Sequence, residues 1–317
     1  MGQSPNWSIF LNSNHRGWIL EGMAIESARA AGITPNFNYL PVSRRELVNF
    51  RLAKNRIFPK FSRHNLFMHQ DIFASIWQKQ LIAGLNNSVF VTHLTESFEN
   101  YSLLANADLV LVQNQSVREV LIDSGVRSEN IRVVFGAVDH STYFPSSKFD
   151  LSSKPFVLIT SHCKPRKNPE GILRVVREYP ELDFVIHGKG WGPFVSEKDL
   201  KLKNLRLIDF NLELNPRLMR EASAFLSLSS NEGGPISLLE ALASGTPCVA
   251  TATGFAPELI TRDRGSIVPV NYDLENVGIG IRQAISSKRD LWNRDLLDGG
   301  FGWEELGSHF FSGGYLP

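Results

Sequence analysis

Residues 224–250 read AFLSLSSNEGGPISLLEALASGTPCVA, in which two apolar runs flank a helical pattern. The apolar run Ala224–Leu228 predicts a buried strand, and Gly233–Gly234 allow a tight turn after it. Pro235 suits the first position of a helix, where no backbone N–H is needed, and Gly245 is typical of a helix end. A second apolar run, Pro247–Ala250, follows and predicts another strand. The stretch therefore predicts strand, helix and strand, which is the repeating unit of an α/β fold.

Short apolar runs alternate with helical patterns along the whole chain. Runs such as LVLV (109–112) and FVLIT (156–160) are apolar on both faces, as strands of a parallel sheet covered by helices must be. The predicted strands are Trp7–Leu11, Leu66–His69, Val89–His93, Leu109–Val112, Arg132–Phe135, Phe156–Thr160, Asp183–His187, Leu205–Ile208, Ala224–Leu228, Pro247–Ala250 and Ser266–Val268.

Two such series predict two doubly wound α/β domains, residues 1–146 and 147–300, joined within the polar stretch 141–154. Residues 301–317 are expected to form a closing segment that packs back toward the first domain. In sheets of this kind ligands bind beyond the carboxyl ends of the strands. Candidate site residues therefore lie just after strands.

The composition is that of an ordinary globular protein and excludes several functions. Of 317 residues, 43% are hydrophobic and 21% charged, and a net charge of +1 gives no general affinity for nucleic acid. Two cysteines, Cys163 and Cys248, predict no disulfide framework, and we expect a cytoplasmic protein. The sequence has no GxGxxG, Walker A, GxSxG or DxD pattern and no metal-ligand spacing. No metal site or bound cofactor is expected.

The turn at Gly233–Gly234 is a candidate anion site. Backbone N–H groups there would lie at the positive end of the next helix, where phosphate is stabilised. The alternative is a plain turn in which the glycines serve only the backbone conformation.

Glu240 places a charge in an otherwise apolar helix. A buried carboxylate is costly unless it is hydrogen-bonded, and the two hydroxyls of a diol could supply the donors. The alternative is a narrow solvated stripe, because Ser237, Glu240 and Ser244 are spaced i, i+3 and i+7.

Residues 161–173, SHCKPRKNPEGIL, follow the strand FVLIT directly. Four basic side chains lie there: His162, Lys164, Arg166 and Lys167. Such a cluster at a strand end could neutralise a diphosphate. The alternative is a basic surface loop in which Asn168 caps a helix that begins at Pro169, and both interpretations are compatible.

Two further candidates lie in the first half of the chain. His93 ends the predicted strand in VFVTHLTES (89–97), where it is either a ligand contact or a structural histidine. Gly17, in the loop after the first strand, could let the backbone approach a phosphate, or the loop could be a solvated connection. Residues 44–64 hold seven Lys or Arg against one Glu and are either a solvated basic helix or a contact with anionic lipid.

Several of these segments occur in an order that is typical of one enzyme family. In residues 231–260, Glu232 and Glu240 have E-x7-E spacing, and SGTPCVA and G-x-x-P-E follow. Residues 107–145 end in GAVD and a Phe-Pro pair, and FGWEE occupies 301–305. These segments resemble the GT4-type glycosyltransferases of the GT-B fold, over roughly residues 90–310.

The resemblance implies a role for each candidate. Glu232 would contact hydroxyls of the transferred sugar, Glu240 the ribose diol of the nucleotide, and Lys167 the diphosphate. His93 matches a histidine that touches the donor sugar, and Gly17 is placed like the glycine of the family's first loop. Donor-binding residues at the helix start would be Gly233, Gly234, Pro235 and Ile236.

The chain also departs from the family pattern. His162 stands where arginine is usual, which weakens the positive charge unless a phosphate raises the histidine pKa or Arg166 substitutes. Gly234 replaces an apolar side chain and Phe255 replaces a glycine, so a different sugar pocket is expected.

The resemblance implies an α/β, GT-B-like fold of two facing Rossmann-like domains with a cleft between them. It implies retaining, metal-independent transfer of a sugar from a nucleotide sugar, UDP- or GDP-linked, to a glycan, lipid-linked or small-molecule acceptor. The alternatives are a nucleotide-sugar-binding module without transferase activity and a nucleotide-sugar epimerase of the same fold. No nucleic-acid partner is expected, and the basic stretch 44–64 would provide peripheral contact with the inner face of a membrane.

Overall fold

The computed structural model describes residues 6–17, 19–40, 59–78, 81–94, 101–145, 155–287 and 300–312. The chain divides into two compact units. Residues 1–137 and 303–317 form the amino-terminal unit, and residues 138–302 form the carboxy-terminal unit. The polar stretch 141–154 thus begins inside the second unit, and its residues 146–154 lie outside the described ranges.

The amino-terminal unit contains a six-stranded parallel sheet with the strand order β2-β1-β3-β4-β5-β6. Its strands are β1 (Trp7–Asn12), β2 (Asn36–Leu40), β3 (His64–Phe67), β4 (Asn86–Val91), β5 (Leu109–Val112) and β6 (Ile131–Val133). The described helices are α1 (Ile19–Ala30), α2 (Gln70–Trp77), α3 (Gln115–Asp123) and, from the far end of the chain, α9 (Trp303–Phe310). Short 3₁₀ turns occupy Ser13–His15, Tyr101–Asn106 and Ser128–Asn130.

Helix α9 packs on α1 and returns the end of the chain to the first unit. Gly307 makes the close approach possible, because a Cβ there would lie 2.6 Å from the carbonyl oxygen of Ser27. Phe310 is fully buried and makes an edge contact with Phe90 of β4 at a ring distance of 5.3 Å. Apolar burial therefore holds this helix in the unit.

The carboxy-terminal unit contains a second six-stranded parallel sheet, ordered β12-β11-β10-β7-β8-β9. Its strands are β7 (Phe156–Thr160), β8 (Asp183–His187), β9 (Leu205–Ile208), β10 (Ala224–Ser227), β11 (Cys248–Thr251) and β12 (Gly265–Val268). The described helices are α4 (Pro169–Glu178), α5 (Asn215–Glu221), α6 (Ile236–Ala243), α7 (Ala256–Leu259) and α8 (Leu274–Ser286), with 3₁₀ turns at Pro165–Lys167 and Asp199–Lys201.

Strand β7 lies in the middle of this sheet and shows why the fold forms. Val157 and Ile159 join a core with α4 and α8, while Leu158 points to the other face and is also fully buried. Alternate residues of a strand face opposite sides, so an all-apolar strand needs helices on both. The prediction of doubly wound parallel sheets is confirmed for both units.

Helix α6 ends as the sequence predicts. The N–H of Gly245 donates to the carbonyl of Leu242 and that of Thr246 to the carbonyl of Ala241, both at 2.9 Å, which is a Schellman motif. Gly245 has φ +72°, a left-handed conformation that strongly favours glycine. The start differs by one residue: Pro235 has ψ 97° and lies at the N-cap, because its extended backbone precedes the first helical residue.

Some predicted strand bounds are wrong. Strand β3 ends at Phe67 because His69 already caps α2, and β4 ends at Val91, which leaves His93 in the following loop. Strand β2 was not predicted. Its sequence NFNYL is half polar, and it lies at the edge of the sheet with most of its residues only partly buried.

The basic stretch 44–64 is described only from residue 59 onward. Residues 44–58, which hold most of the stretch that was interpreted as a solvated basic helix or a lipid contact, lie outside the described ranges. None of the helices in the described part of the chain is long and apolar enough to cross a membrane.

Candidate functional site

The strand order of the carboxy-terminal unit brings two loops together. Strands β7 and β10 are neighbours, but the chain runs from β7 outward to β9 on one side and from β10 outward to β12 on the other. Loops leaving such a pair diverge and open a crevice at the carboxyl edge, which is the usual ligand site of an open α/β sheet. The loop after β7 carries the basic cluster, and the loop after β10 carries Glu232.

The basic loop is held by the cap of α4. Asn168 is the described non-glycine residue with a left-handed backbone, φ 52°, and its side chain accepts the Gly171 N–H at 3.1 Å. Its side-chain amide also donates to the Tyr272 hydroxyl at 3.0 Å. Pro169 is the first helical residue, so the predicted cap is confirmed. The 3₁₀ turn Pro165–Lys167 immediately before it fixes where the cations lie.

Two cations of this loop bind one carboxylate. Arg166 Nη1 donates to Glu232 Oε2 at 2.6 Å, and Lys167 Nζ donates to Glu232 Oε1. The side chains of Glu232 and Lys167 are only 6% and 15% exposed, whereas Arg166 keeps 38%. The structure therefore brings together three residues that the sequence predicted as ligand contacts, and in the described chain they bind each other.

Burial and ion pairing together shift the pKa values of Glu232 and Lys167. Burial alone would raise the pKa of Glu232, but the charges of Lys167 and Arg166 outweigh it and hold the pKa below its usual value. Burial, with the neighbouring cations Arg166 and Lys164, lowers the pKa of Lys167, although Glu232 opposes that shift. The cluster thus places two basic side chains against one carboxylate.

Backbone contacts tie the two loops together. The Ser230 N–H donates to the Arg166 carbonyl at 2.8 Å, and Arg166 Nη1 reaches the Asn231 carbonyl at 3.2 Å. Gly254, which follows β11, packs closely against the loop that carries Glu232. It has φ +56°, and a Cβ there would lie 2.7 Å from the Gly233 carbonyl oxygen and 3.1 Å from Glu232 Cβ.

His162 lies at the start of the basic loop beside the loop after β8. Trp191 Nε1 donates to the Ser161 carbonyl at 2.8 Å, and Gly188 must lack a Cβ because one would meet that same oxygen at 1.8 Å. Burial lowers the pKa of His162, and the charges of Lys164 and Lys189 lower it further. The imidazole is therefore neutral at neutral pH in the unliganded chain, and it adds no charge of its own.

The residues before α6 present backbone to the same edge of the sheet. Gly233 is buried, Gly234 is partly exposed, and Pro235 offers no side chain to cap the helix. Ile236 is the first helical residue and is partly exposed. Backbone N–H groups at an uncapped helix start favour an anion, in keeping with the predicted role of this turn.

Glu240 belongs to a separate hydrogen-bonded group. Asn215 Nδ2 donates to Glu240 Oε2 at 3.1 Å, and the Tyr143 hydroxyl also hydrogen-bonds the carboxyl. Burial raises the pKa of Glu240 to about 7, although both hydrogen bonds lower it. Ser244 is buried, so the three residues do not form the solvated stripe that was the alternative from spacing. Part of Glu240 remains exposed, as a ligand contact requires.

Tyr143, Asn215 and His187 were not predicted as site residues. Tyr143 is 6% exposed, Asn215 1% and His187 0%, and they come from three distant parts of the sequence. Of these three residues, only His187 could have been singled out from the sequence, because it ends a predicted strand as His93 does. The other two belong to no recognisable spacing.

In the amino-terminal unit, His93 follows β4 and hydrogen-bonds Thr92 Oγ1 through Nδ1 at 3.0 Å. Its carbonyl accepts Gln70 Nε2 at 3.0 Å, and the His69 ring stands edge-on to the His93 ring at 6.4 Å. His69 and Gln70 were not predicted. They lie just beyond the neighbouring strand β3, so the sheet places them beside His93.

Gly17 has φ +70° and precedes α1. Its N–H donates to Glu21 Oε2 at 2.5 Å, and Glu21 also accepts the Tyr39 hydroxyl. Arg16 lies 4.3 Å above the Tyr39 ring. The Gly17 N–H thus binds a carboxylate of its own helix, and its predicted contact with a phosphate stays a prediction. Within the described residues, no group of three or more His, Cys, Asp or Glu side chains is placed to hold a metal ion.

The chain is similar in sequence and in fold to known glycosyltransferases. Residues 144–294 match the sequence profile of the family described as glycosyl transferases group 1. YtcC of Bacillus subtilis (strain 168), a protein named as a glycosyltransferase, is 23% identical over 225 residues, which cover 61% of this chain and 55% of YtcC. N-acetyl-alpha-D-glucosaminyl L-malate synthase of Bacillus anthracis is 27% identical over 146 residues, 42% of this chain and 38% of that enzyme.

Among solved structures, HepE of Anabaena in complex with UDP-glucose superposes with a TM-score of 0.73 at 16% identity, over 96% of this chain and 98% of HepE. The alignments to the two Bacillus relatives span about half or less of their lengths. The match to the family profile contains the basic cluster, Glu232 and Glu240. The chain therefore carries a glycosyl transferases group 1 domain over residues 144–294 and has the two-domain α/β fold of the GT-B glycosyltransferases.

Proposed function

We propose that this protein is a glycosyltransferase that moves a sugar from a nucleotide sugar to an acceptor hydroxyl, with retention of anomeric configuration and without a metal ion. The observation that carries the proposal is the group Arg166, Lys167 and Glu232 at the crevice between β7 and β10. It joins cations suited to a diphosphate with a carboxylate suited to sugar hydroxyls, at the place where this fold binds ligands.

In the proposed reaction the bond between the anomeric carbon and the diphosphate oxygen breaks. Lys167, Arg166 and the backbone at Gly233–Gly234 stabilise the negative charge that develops on the leaving group. The acceptor hydroxyl forms the new bond on the same face of the sugar, and its proton passes to the leaving phosphate oxygen. Removing one such stabilising group often costs about 10²–10³ in rate.

Glu232 and Glu240 would hold the two sugars of the donor. Glu232 would accept hydrogen bonds from hydroxyls of the transferred sugar, and Glu240 from the ribose. His93 and Gly17, in the amino-terminal unit, remain proposed contacts with the donor. His162 would donate to a phosphate oxygen, and binding of that anion would raise its pKa from the lowered value of the unliganded chain.

UDP- and GDP-sugars are the proposed donors. HepE, whose fold this chain shares, is in complex with UDP-glucose in its structure. The acceptor is a glycan, a lipid-linked molecule or a small molecule, and we propose a cytoplasmic protein with peripheral membrane contact through residues 44–64. Sedimentation with anionic and neutral liposomes tests that contact. Salt-sensitive binding of the protein to the anionic vesicles alone supports membrane contact, and no binding to either kind of vesicle refutes it.

The decisive experiment has two stages. A thermal-shift panel of UDP-, GDP-, ADP- and TDP-sugars identifies the donor, because a ligand that binds the folded state raises the melting temperature. The bound donor is then incubated with candidate acceptors, with and without EDTA, and release of nucleoside diphosphate and the anomeric configuration of the product are measured. Full transfer by Lys167→Ala or Glu232→Ala would refute the assigned site.

The same experiment separates the alternatives. A binding module would bind a donor and release no nucleoside diphosphate with any acceptor. An epimerase would convert its nucleotide sugar without an acceptor. Loss of activity in EDTA that returns with a divalent cation would refute metal independence.

A further inference from the structure

A buried chain of hydrogen bonds leads from strand β8 to Glu240. The Asn211 N–H donates to His187 Nε2 at 2.9 Å, so the His187 proton lies on Nδ1, which contacts Asn215 Oδ1 at 3.2 Å. Asn215 Nδ2 donates to the Tyr143 hydroxyl at 2.9 Å and to Glu240 Oε2 at 3.1 Å. The chain links three elements of the carboxy-terminal unit to one carboxylate.

The orientation of Asn215 is determined by its partners. Its oxygen accepts from His187 and from Thr160 Oγ1 at 3.4 Å, and its nitrogen uses both hydrogens on Tyr143 and Glu240. A flipped amide would point a donor at the His187 N–H and an oxygen at the carboxylate. The Tyr143 hydroxyl accepts from Asn215, which leaves its own hydrogen to donate to Glu240.

Neutral groups surround the carboxyl. Tyr143 faces it from the segment after β6, Asn215 faces it from α5, and His187 lies behind Asn215 on β8. Burial and the neighbouring Glu240 raise the pKa of the Tyr143 hydroxyl, and the charge of Asp139 adds to that shift. Among the described residues Glu240 has no ion-pair partner. Its charged form therefore depends on the two hydrogen bonds that it accepts.

We propose that Tyr143 and Asn215 are positioning residues that hold Glu240 ionised, with its free edge directed at the ribose of a bound nucleotide. The inference rests on the proposed function and extends it, since it assigns a role to side chains outside the family's motif. The carboxylate accepts two hydrogen bonds within the protein, which leaves other lone pairs for the two ribose hydroxyls. A protonated Glu240 would lose that acceptor capacity, so ribose recognition should depend on pH.

The test compares ligands that differ only in the ribose. Dissociation constants are measured by calorimetry for UDP and 2′-deoxy-UDP, and for GDP and 2′-deoxy-GDP, from pH 6 to pH 9. The ratio of the deoxy to the ribo constant cancels titration of the phosphates. In the wild type this ratio should rise through about pH 7, because burial raises the pKa of Glu240 to about 7.

Tyr143→Phe removes one hydrogen bond to the carboxylate, and the midpoint of the ratio should move up by about one pH unit. At pH 7 the ratio should fall about fivefold, because the ionised fraction of Glu240 drops from about one half to about one tenth, and it should recover by pH 9. Asn215→Leu should shift the midpoint in the same direction. Glu240→Gln should give a low ratio that does not change with pH.

Tyr179→Phe is the matched control. Tyr179 is 8% exposed and donates to the Leu274 carbonyl at 2.6 Å, so the substitution removes a comparable buried hydrogen bond away from Glu240. For Tyr179→Phe, the ratio of the deoxy to the ribo dissociation constant should equal that of the wild type at every pH. Melting temperatures of all variants are measured alongside.

The outcomes separate the two proposals. If Tyr143→Phe and Tyr179→Phe have the same midpoint as the wild type, positioning by Tyr143 is refuted while nucleotide binding stands. If the wild type binds neither UDP nor GDP, the proposed donor site fails and the positioning role fails with it. A midpoint shifted in Tyr143→Phe alone supports the inference.

Discussion

Replacing Glu232 by Gln should change binding of two ligands in opposite directions. The substitution keeps the shape of the side chain but removes the charge that neutralises Arg166 and Lys167. The two cations then attract a free anion more strongly. The same change weakens hydrogen bonds to sugar hydroxyls, because a neutral amide is a poorer acceptor than a carboxylate.

The magnitude follows from the geometry. A phosphoryl group bound by both cations would lie about 6 Å from the carboxylate, where repulsion at an effective dielectric of about 20 is about 3 kcal/mol per unit charge. Screening by salt at a partly exposed Arg166 reduces this, so pyrophosphate should bind about tenfold more tightly. Loss of hydroxyl contacts worth about 1.5–3 kcal/mol should weaken the nucleotide sugar relative to its diphosphate by about 10- to 100-fold.

The assay is calorimetric titration of pyrophosphate, the nucleoside diphosphate and the nucleotide sugar at low and high salt. Glu221→Gln is the control, because it breaks an Arg–Glu pair of 2.7 Å whose carboxylate is 45% exposed, and it should change none of the three affinities. Equal or weaker binding of pyrophosphate by Glu232→Gln would refute the idea that this carboxylate competes with phosphate for the cations. A stability loss of about 2–3 kcal/mol is expected in the absence of ligand.

Three other variants test the geometry. Burial raises the pKa of Glu240 from 4.5 to about 7, so the folded state binds the proton more tightly than the unfolded state. Ionisation of Glu240 therefore costs stability as pH rises from 4.5 through 7. In urea unfolding, Glu240→Gln should stabilise the unliganded chain by up to about 3 kcal/mol at pH 8 and hardly at all at pH 4.5. Asn168→Ala should cost about 1–2 kcal/mol through loss of the cap and strain at φ 52°, whereas Asn168→Gly should cost only a few tenths of a kcal/mol; equal losses would contradict the left-handed cap. Gly254→Ala should destabilise the loop and weaken donor binding, because its Cβ would meet the Gly233 carbonyl oxygen at 2.7 Å, and an unchanged melting temperature and affinity would show that the loop has room.

Apolar runs predicted the strands that are buried on both faces. Leu109–Val112 and Phe156–Thr160 have the predicted bounds, because short runs rich in Val, Leu and Ile are typical of covered parallel strands. Strand β2 escaped prediction because an edge strand is only partly buried and alternates polar with apolar residues. Strands β3 and β4 were placed too far along the chain because local pattern does not show where a helix cap takes over.

The candidate site also contains some features that the sequence predicted and others that it did not. The cap at Asn168 and the turn before α6 are local features, and the sequence predicted both, with Pro235 displaced by one residue. The pairing of Arg166 and Lys167 with Glu232 depends on β7 and β10 being neighbours, which spacing alone did not indicate. Tyr143, Asn215 and His187 meet only through the tertiary fold, so no linear pattern marks them.

The internal pairing of Glu232 has a consequence for selectivity in the cell. Cells hold inorganic phosphate and many nucleotides, and a pair of cations without a bound carboxylate would be occupied most of the time by whichever anion was abundant. Here an incoming ligand must displace a carboxylate from Arg166 and Lys167 and offer it new donors. A plain phosphate brings charge but only one or two hydroxyl donors, whereas a sugar linked to a diphosphate brings both the charge for the cations and several hydroxyls for the displaced acid. On the proposed function, this internal ion pairing favours a nucleotide sugar over simpler anions.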